Sequence, residues 1–377
     1  MEAQRLRDVS TSLIRRMFEI VEKAKREGKD IISLTIGEPD FSTPVEVVEK
    51  AIRAMKSGYT HYTSNLGLEE LRAAIAERYG VSKENVMITT GGSEALFNAS
   101  LAFIEENSKV IIPSPTFLSY FTYAKICKAR ILEIKTHDNE FVPNVDKLSE
   151  MMGKDVSVIF LNYPNNPTGA VIDERSARAI AEIAMDYEAI VISDEIYDRI
   201  YYDKRPTTLA DYENVVVING FSKSLAMTGW RIGYVVARED LINSMLKVHQ
   251  VNGVCAPAFA QKAVAEVLLN GDFEKIVSRM VAEFRKRREI IVEGLNKIKG
   301  ITCRKPKGSF YIFPNVTGTG MRSKELSDYL LNETGVAVLP GTAFGKYGEG
   351  YLRLSFANSI ENIKEALKRI EMALEGL

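Results

Sequence analysis

Among the residues able to do covalent chemistry, Lys223 stands out by its setting. It lies in Gly220-Phe221-Ser222-Lys223, just past the apolar run Val215–Asn219, with Ser222 and Ser224 on either side. Most lysines are solvated surface charges. A lysine held in a partly dry pocket has a lowered pKa and can serve as nucleophile and base. On spacing alone Lys223 still reads as a loop lysine. Asp194 ends a second apolar run, Ala189–Ser193, and Tyr197 follows three residues later.

Several other residues suit anions. Gly91-Gly92-Ser93 closes one apolar run and opens a helical pattern. Two glycines let backbone approach a phosphate, and a helix N-terminus offers free N–H groups. Taken alone, the segment reads equally as a tight turn with Ser93 as N-cap. No Lys-Ser/Thr pair follows it, so an NTP-binding loop is excluded. Arg231 in GWRIG and Arg353 in YLRLSF sit among apolar neighbours. Such an arginine is costly unless paired, and its guanidinium forks onto phosphate or carboxylate; an edge-strand arginine facing water is the alternative. Asn162–Gly169 is an amide-rich loop stiffened by Pro164 and Pro167, from which Asn166 can donate to an oxygen. A phosphate-bearing pyridine such as pyridoxal phosphate needs a lysine amine and a carboxylate on its ring nitrogen, which keeps the ring electron-accepting. Asp194 could be that carboxylate or a plain turn residue, and Tyr197 could reach the ring's phenolic oxygen or simply pack.

His61, His137 and His249 are scattered without metal-ligand spacing, and no Ser/His/Asp order emerges. No metal site and no serine hydrolase are expected. Cys127, Cys255 and Cys303 are too few and too far apart for a disulfide scaffold or zinc knuckle, which suits a reducing, cytoplasmic setting. The 49 basic and 50 acidic residues leave a net charge of −1, giving no reason to expect nucleic acid or an anionic membrane as partner. The charged start, MEAQRLRDVSTSLIRRM, is unlike a secretory signal, and no stretch approaches the roughly 20 apolar residues of a membrane span.

The elements that must position these residues form a regular pattern. Apolar runs recur at Val86–Thr90, Lys109–Pro113, Ala129–Ile134, Val156–Asn162, Ala189–Ser193, Val215–Asn219 and Ile232–Val236, with helical patterns between several of them. Runs without alternation mark strands buried on both faces, so the reading is α/β, with a mainly parallel seven-stranded sheet between helices. The long charged helical stretch Gly271–Gly300 breaks that rhythm. Beyond it, strands at Gly308–Phe313 and Tyr351–Phe356 and helices at Lys324–Asn332 and Ile360–Leu374 predict a smaller α+β domain. The expected division is a large domain over 45–280 and a small domain built from 281–377, with residues 1–44 as its N-terminal arm. Ligands of open parallel sheets sit beyond the carboxyl ends of the strands, where the residues above fall.

In order along nearly the whole chain, these segments resemble the class I/II pyridoxal-phosphate-dependent aminotransferases of fold type I, in the aspartate and aromatic aminotransferase branch. The resemblance rests on IGEPDFSTP (Ile36–Pro44), YTHYTSNLGLEELR (Tyr59–Arg72), TTGGSEALFNA, PSPTFLSY, NYPNNPTGA, ISDEIYD, GFSKSLAMTGWRIG, KGSFYIFP, VLPGTAFG and YLRLSFA. It implies a ping-pong transfer of the amino group from an L-amino acid to a 2-oxo acid such as 2-oxoglutarate. It implies that Lys223 holds the cofactor and then shuttles a proton, Asp194 pairs with the ring nitrogen, and Asn166 and Tyr197 donate to the phenolic oxygen. Gly91, Gly92, Ser93, Ser222 and Arg231 would form the phosphate cup, and Phe117 would stack on the ring. Arg353 would take the substrate α-carboxylate with Gly37 and Asn166. Tyr62 would reach the phosphate of a neighbouring subunit, implying a homodimer with shared active sites.

Two positions depart from the branch. Phe117 stands where Trp is common, and Ser93 where members preferring aspartate often carry a lysine. The donor therefore stays open among aspartate, aromatic and broad. The other readings are a different reaction on the same scaffold, such as a carbon–sulfur lyase or racemase, and a non-catalytic cofactor-binding regulator. A regulator would be expected to carry a basic helix-turn-helix domain, for which this near-neutral chain, with motifs from Ile36 onward, leaves no room.

Overall fold

A strand covered on both faces must be apolar on both, and the strands of the main sheet follow that rule. The computed structural model describes residues 2–9, 11 and 13–375. After a short β1 (Ile32–Ser33), the main sheet is built from β2 (Val86–Thr89), β3 (Lys109–Ser114), β4 (Arg130–Lys135), β5 (Val156–Asn162), β6 (Ile190–Asp194), β7 (Val215–Gly220) and β8 (Gly233–Val236). Its order is β2-β8-β7-β6-β5-β3-β4. Only β8 runs against the others, pairing antiparallel with both β2 and β7. The α/β sheet expected from the sequence is thus present.

Alternate residues of these strands feed separate cores. Ile88, Ile111, Ile159, Val191 and Val217 pack on one face, and Met87, Val110, Val158, Ile192 and Val216 on the other. The edge strand β4 is less buried, and its run lies one residue later than the apolar pattern suggested.

A third core gathers Ile32 and Leu34, the later part of the long helix Asp272–Lys297, and Ile363, Leu367 and Ile370 of the helix Ile360–Glu375. The long helix serves two cores, giving Ile276 and Val277 to one and Phe284, Ile291 and Leu295 to the other. Around this third core run β9 (Tyr311–Ile312), β10 (Val336–Ala337), β11 (Leu339–Pro340) and β12 (Leu352–Ser355). β1 pairs parallel with β10, so the N-terminal segment is stitched to the C-terminal part of the chain.

One expected strand is shorter than its pattern, and one expected helix changes type partway. Of Gly308–Phe313 only Tyr311–Ile312 is strand. Ser309 takes the left-handed φ of 55° and donates its N–H to Ile200, which turns the backbone out of the ladder. The Lys324–Asn332 pattern forms a helix over Ser323–Tyr329 and then a wider π turn, Leu330–Thr334, stopped by Gly335 at φ 70°. No helix among the described residues is long and apolar enough to cross a membrane.

Candidate active site

Neighbouring strands of a parallel sheet end side by side, so residues far apart in sequence meet at their carboxyl ends. β6 ends at Asp194, β7 leads within three residues to Lys223, β5 leads into the Asn166 loop, and β2 leads into the Gly91-Gly92 turn. These ends frame a cavity of about 640 Å³ whose lining includes Lys223, Asp194, Tyr197, Asn166, Arg231 and Arg353. Gly37, Gly92, Ser93, Phe117 and Ser222 also face it.

The Lys223 amine donates to the Gly37 carbonyl at 2.7 Å. Burial, reinforced by the positive Arg231 and Arg353, draws its pKa down to about 8 against the pull of Glu38 and Asp194. Asp194 lies at the cavity floor, 5% exposed. It accepts from the Tyr120 hydroxyl at 2.6 Å and from the Ile196 N–H at 3.2 Å. Burial lifts its carboxyl to about 6 despite these donors. The next residue, Glu195, turns away to accept from Ser193 and Leu209, so only one carboxylate of this strand end serves the cavity.

Tyr197 is buried, and its hydroxyl lies 2.9 Å from that of Tyr311. Burial first, then Tyr311, pushes its pKa well above the usual phenol value. Tyr311 also carries the Arg353 guanidinium, whose central carbon is 4.5 Å from the ring centroid, with Phe344 4.9 Å away on another side. Arg353 is 1% exposed. It donates to Asn166 Oδ1 at 3.1 Å and to the Thr35 carbonyl, while its Nε has no partner. Among the described residues it forms no ion pair.

At the other end of the cavity Arg231, at φ 60°, donates to the carbonyls of Thr228 at 2.8 Å and Thr90 at 3.3 Å. Gly91 has φ 81°, and a Cβ there would sit 2.4 Å from the Arg231 Nη2. Only glycine lets the turn and the guanidinium share this corner, beside the first-turn N–H groups of the helix Gly92–Phe103.

Tyr62 lies elsewhere: it is 86% exposed and lines a second cavity of about 1080 Å³. Arg231 and Ser93 face both cavities, so that hollow abuts the anion corner from outside. His61 also lines the second cavity, His137 packs on Phe141 and Tyr351, and His249 pairs with Glu94. No group of three or more metal-ligating residues occurs among the described residues.

Sequence reasoning missed Tyr120, Tyr311, Thr35 and Glu38. Tyr120 and Tyr311 lie inside segments that carry the family resemblance, but nothing local marks their hydroxyls as partners of Asp194 and Tyr197. It also missed that the helix Leu13–Arg26 brings Ile14, Arg15 and Phe18 to the cavity mouth.

The family model for aminotransferase class I and II matches residues 29–370. An aspartate aminotransferase of Pyrococcus horikoshii is 44% identical, over 99% of this chain and 97% of its own length. An aromatic-amino-acid aminotransferase of Thermococcus litoralis is 38% identical over 99% and 98%. The solved aspartate aminotransferase of Thermus thermophilus with maleate superposes with a TM-score of 0.95 at 32% identity, covering 99% of both chains. With a fold, a length and a sequence that agree throughout, the chain belongs to the aminotransferase class I and II family and is an aminotransferase.

Proposed function

We propose that the chain uses pyridoxal 5′-phosphate to move the amino group of an L-amino acid, aspartate or aromatic, to a 2-oxo acid such as 2-oxoglutarate. One observation carries this reading: a half-buried amine, a buried carboxylate and two guanidiniums with no carboxylate partner among the described residues face a single cavity. The donor set fits the cofactor. Asp194 is buried with a raised pKa, so a protonated ring nitrogen would restore its charge. Gly91, Gly92, Ser93, Ser222 and Arg231 would hold the phosphate, Phe117 would cover the ring, and Asn166 and Tyr197 would bond its phenolic oxygen. When bound, pyridoxal phosphate supplies an electrophilic aldehyde and a ring that accepts the electron pair of the α-carbon bond.

The chain's own residues do the rest. Lys223 anchors the cofactor through Nζ, and its lowered pKa suits an amine that must be neutral to attack and then to carry the α-proton. Arg353 would fork onto the α-carboxylate with its unpartnered Nε side, while Gly37 and Asn166 add backbone and amide contacts. Tyr197, tied to Tyr311, is held neutral and can donate.

Tyr62 supports a homodimer with shared active sites, because an exposed tyrosine beside the anion corner suits a residue offered to a second copy. Residues 45–280 would form the cofactor domain, and 1–44 with 281–377 the small domain. Three free cysteines fit a cytoplasmic location.

The test is a panel of aspartate, tyrosine, phenylalanine, alanine and glutamate with 2-oxoglutarate, read by product analysis for wild type, Lys223→Ala and Arg353→Ala. Wild type should yield glutamate and the matching 2-oxo acid, and Lys223→Ala neither. Arg353→Ala should weaken donor use by about 1.5–3 kcal/mol, the scale of a hydrogen bond to a charged group. Pyruvate with ammonia as main products would make it a lyase, and full turnover by Lys223→Ala would end the reading.

A further inference from the structure

Behind the anion corner lies a pair, a buried histidine and a part-buried glutamate that also lines the second cavity, which the roles above leave unused. His249, in the helix Glu239–Asn252, is 0% exposed. Its Nδ1 lies 2.6 Å from Glu94 Oε1, and its Nε2 has no hydrogen-bond partner. Glu94 stands in the first turn of the helix Gly92–Phe103. Its Oε2 accepts the Thr90 N–H, and its Oε1 also accepts from Asn98 at 2.9 Å. The Thr90 carbonyl in turn accepts from Arg231 at 3.3 Å. Thr90 is therefore gripped at its N–H by Glu94 and at its carbonyl by Arg231, one residue before the glycine turn.

A carboxylate suits a helix N-terminus, yet here it stands beside the place where a phosphate would bind and would repel it. The surrounding donors offset that repulsion. Burial pushes the Glu94 carboxyl up, but His249, the Thr90 N–H and Asn98 outweigh it and hold the group below its ordinary value. An ordinary capping glutamate needs only its own helix. This one is held by a histidine from another helix, and the backbone at Gly253 packs so closely over it that a Cβ there would lie 2.5 Å from Glu94 Oε1 and push the carboxylate aside. Asn252 ties the same two helices by donating to Asn98 at 3.1 Å.

We infer that Glu94 and His249 are positioning residues for the cofactor phosphate: His249 orients the Glu94 carboxylate, which fixes Thr90 and, through it, the glycine turn and Arg231. The inference rests on the pyridoxal phosphate reading. It acts on the phosphate end alone and leaves Lys223 and Asp194 untouched.

The experiment compares the dissociation constants of pyridoxal phosphate and of pyridoxal for the full-length chain, stripped of cofactor and titrated by absorbance. Wild type, His249→Leu and His249→Gln are measured. His249→Leu should weaken pyridoxal phosphate by about tenfold, equivalent to about 1.4 kcal/mol, with pyridoxal nearly unchanged. His249→Gln, which keeps a donor for Glu94, should restore most of the preference. If His249→Leu does not fold, Glu94→Ala removes the same grip on Thr90 and is judged by the same ratio. An unchanged ratio, or equal weakening of both ligands, overturns the inference. A wild-type chain that binds neither ligand overturns the cofactor reading instead.

Discussion

Lys223 shows how position converts an ordinary side chain into a reagent. Its amine is withdrawn from water, and burial together with two guanidiniums outweighs Glu38 and Asp194, so its pKa falls to about 8. The attacking form is the neutral amine, which predominates above that value. The rate at which the cofactor-free chain captures pyridoxal phosphate should therefore be flat above about pH 8. Below it, the rate should drop about tenfold per pH unit, as the neutral fraction does. Stopped-flow absorbance across pH 6 to 10 checks this, and a limb that breaks near the ordinary lysine value of about 10.4 would show the amine to be solvated. Asp194 and Arg353 were legible in the sequence because each ends or interrupts an apolar run, whereas Lys223 and Asn166, each in a loop beyond its run, were legible through the ordered motifs of the family resemblance. Tyr120 and Tyr311 were not, because a hydroxyl whose partner lies 74 or 114 positions away leaves no local mark.

At the level of elements, the reversed strand β8 shapes the anion corner. It inserts between β2 and β7, and its first residue, Gly233, backs directly onto the turn after β2. A Cβ on Gly233 would meet Gly91 C at 2.4 Å and Gly92 N at 2.5 Å, both backbone atoms that cannot swing aside. Gly233→Ala should cost about 1–3 kcal/mol of stability, as overpacking does, and should also weaken phosphate binding. A thermal melt with and without inorganic phosphate reads both effects, and a melt like that of wild type would show that the turn can yield. The strands were readable as apolar runs, since burial on two faces removes polar alternation. The Gly308–Phe313 strand was over-read because apolar spacing cannot reveal the left-handed turn at Ser309. The helix Leu13–Arg26 at the cavity mouth drew no attention because its charged face hides a narrow buried stripe, Met17, Val21 and Ala24.

For the whole molecule, the placement of Tyr62 has a direct test. If each chain gives Tyr62 to its partner's site, Lys223→Ala and Tyr62→Ala damage sites in a complementary way. A hybrid of the two chains holds one site with neither lesion and one site with both. Mixing and reassembling the two variants should restore activity toward half of wild type per hybrid, well above either variant alone. Activity equal to the average of the parents would mean that Tyr62 serves its own chain or none.

The two guanidiniums have a practical consequence at the bench. Among the described residues, Arg353 and Arg231 are held by neutral oxygens only, from Asn166, Thr35, Thr228 and Thr90. Each is a ready receptor for small oxyanions, so acetate, sulfate and phosphate buffers will act as competitors. Rates taken in such salts will understate the enzyme, most of all at low substrate, and a tertiary-amine buffer, which cannot condense with an aldehyde, with chloride held low should give the truer baseline.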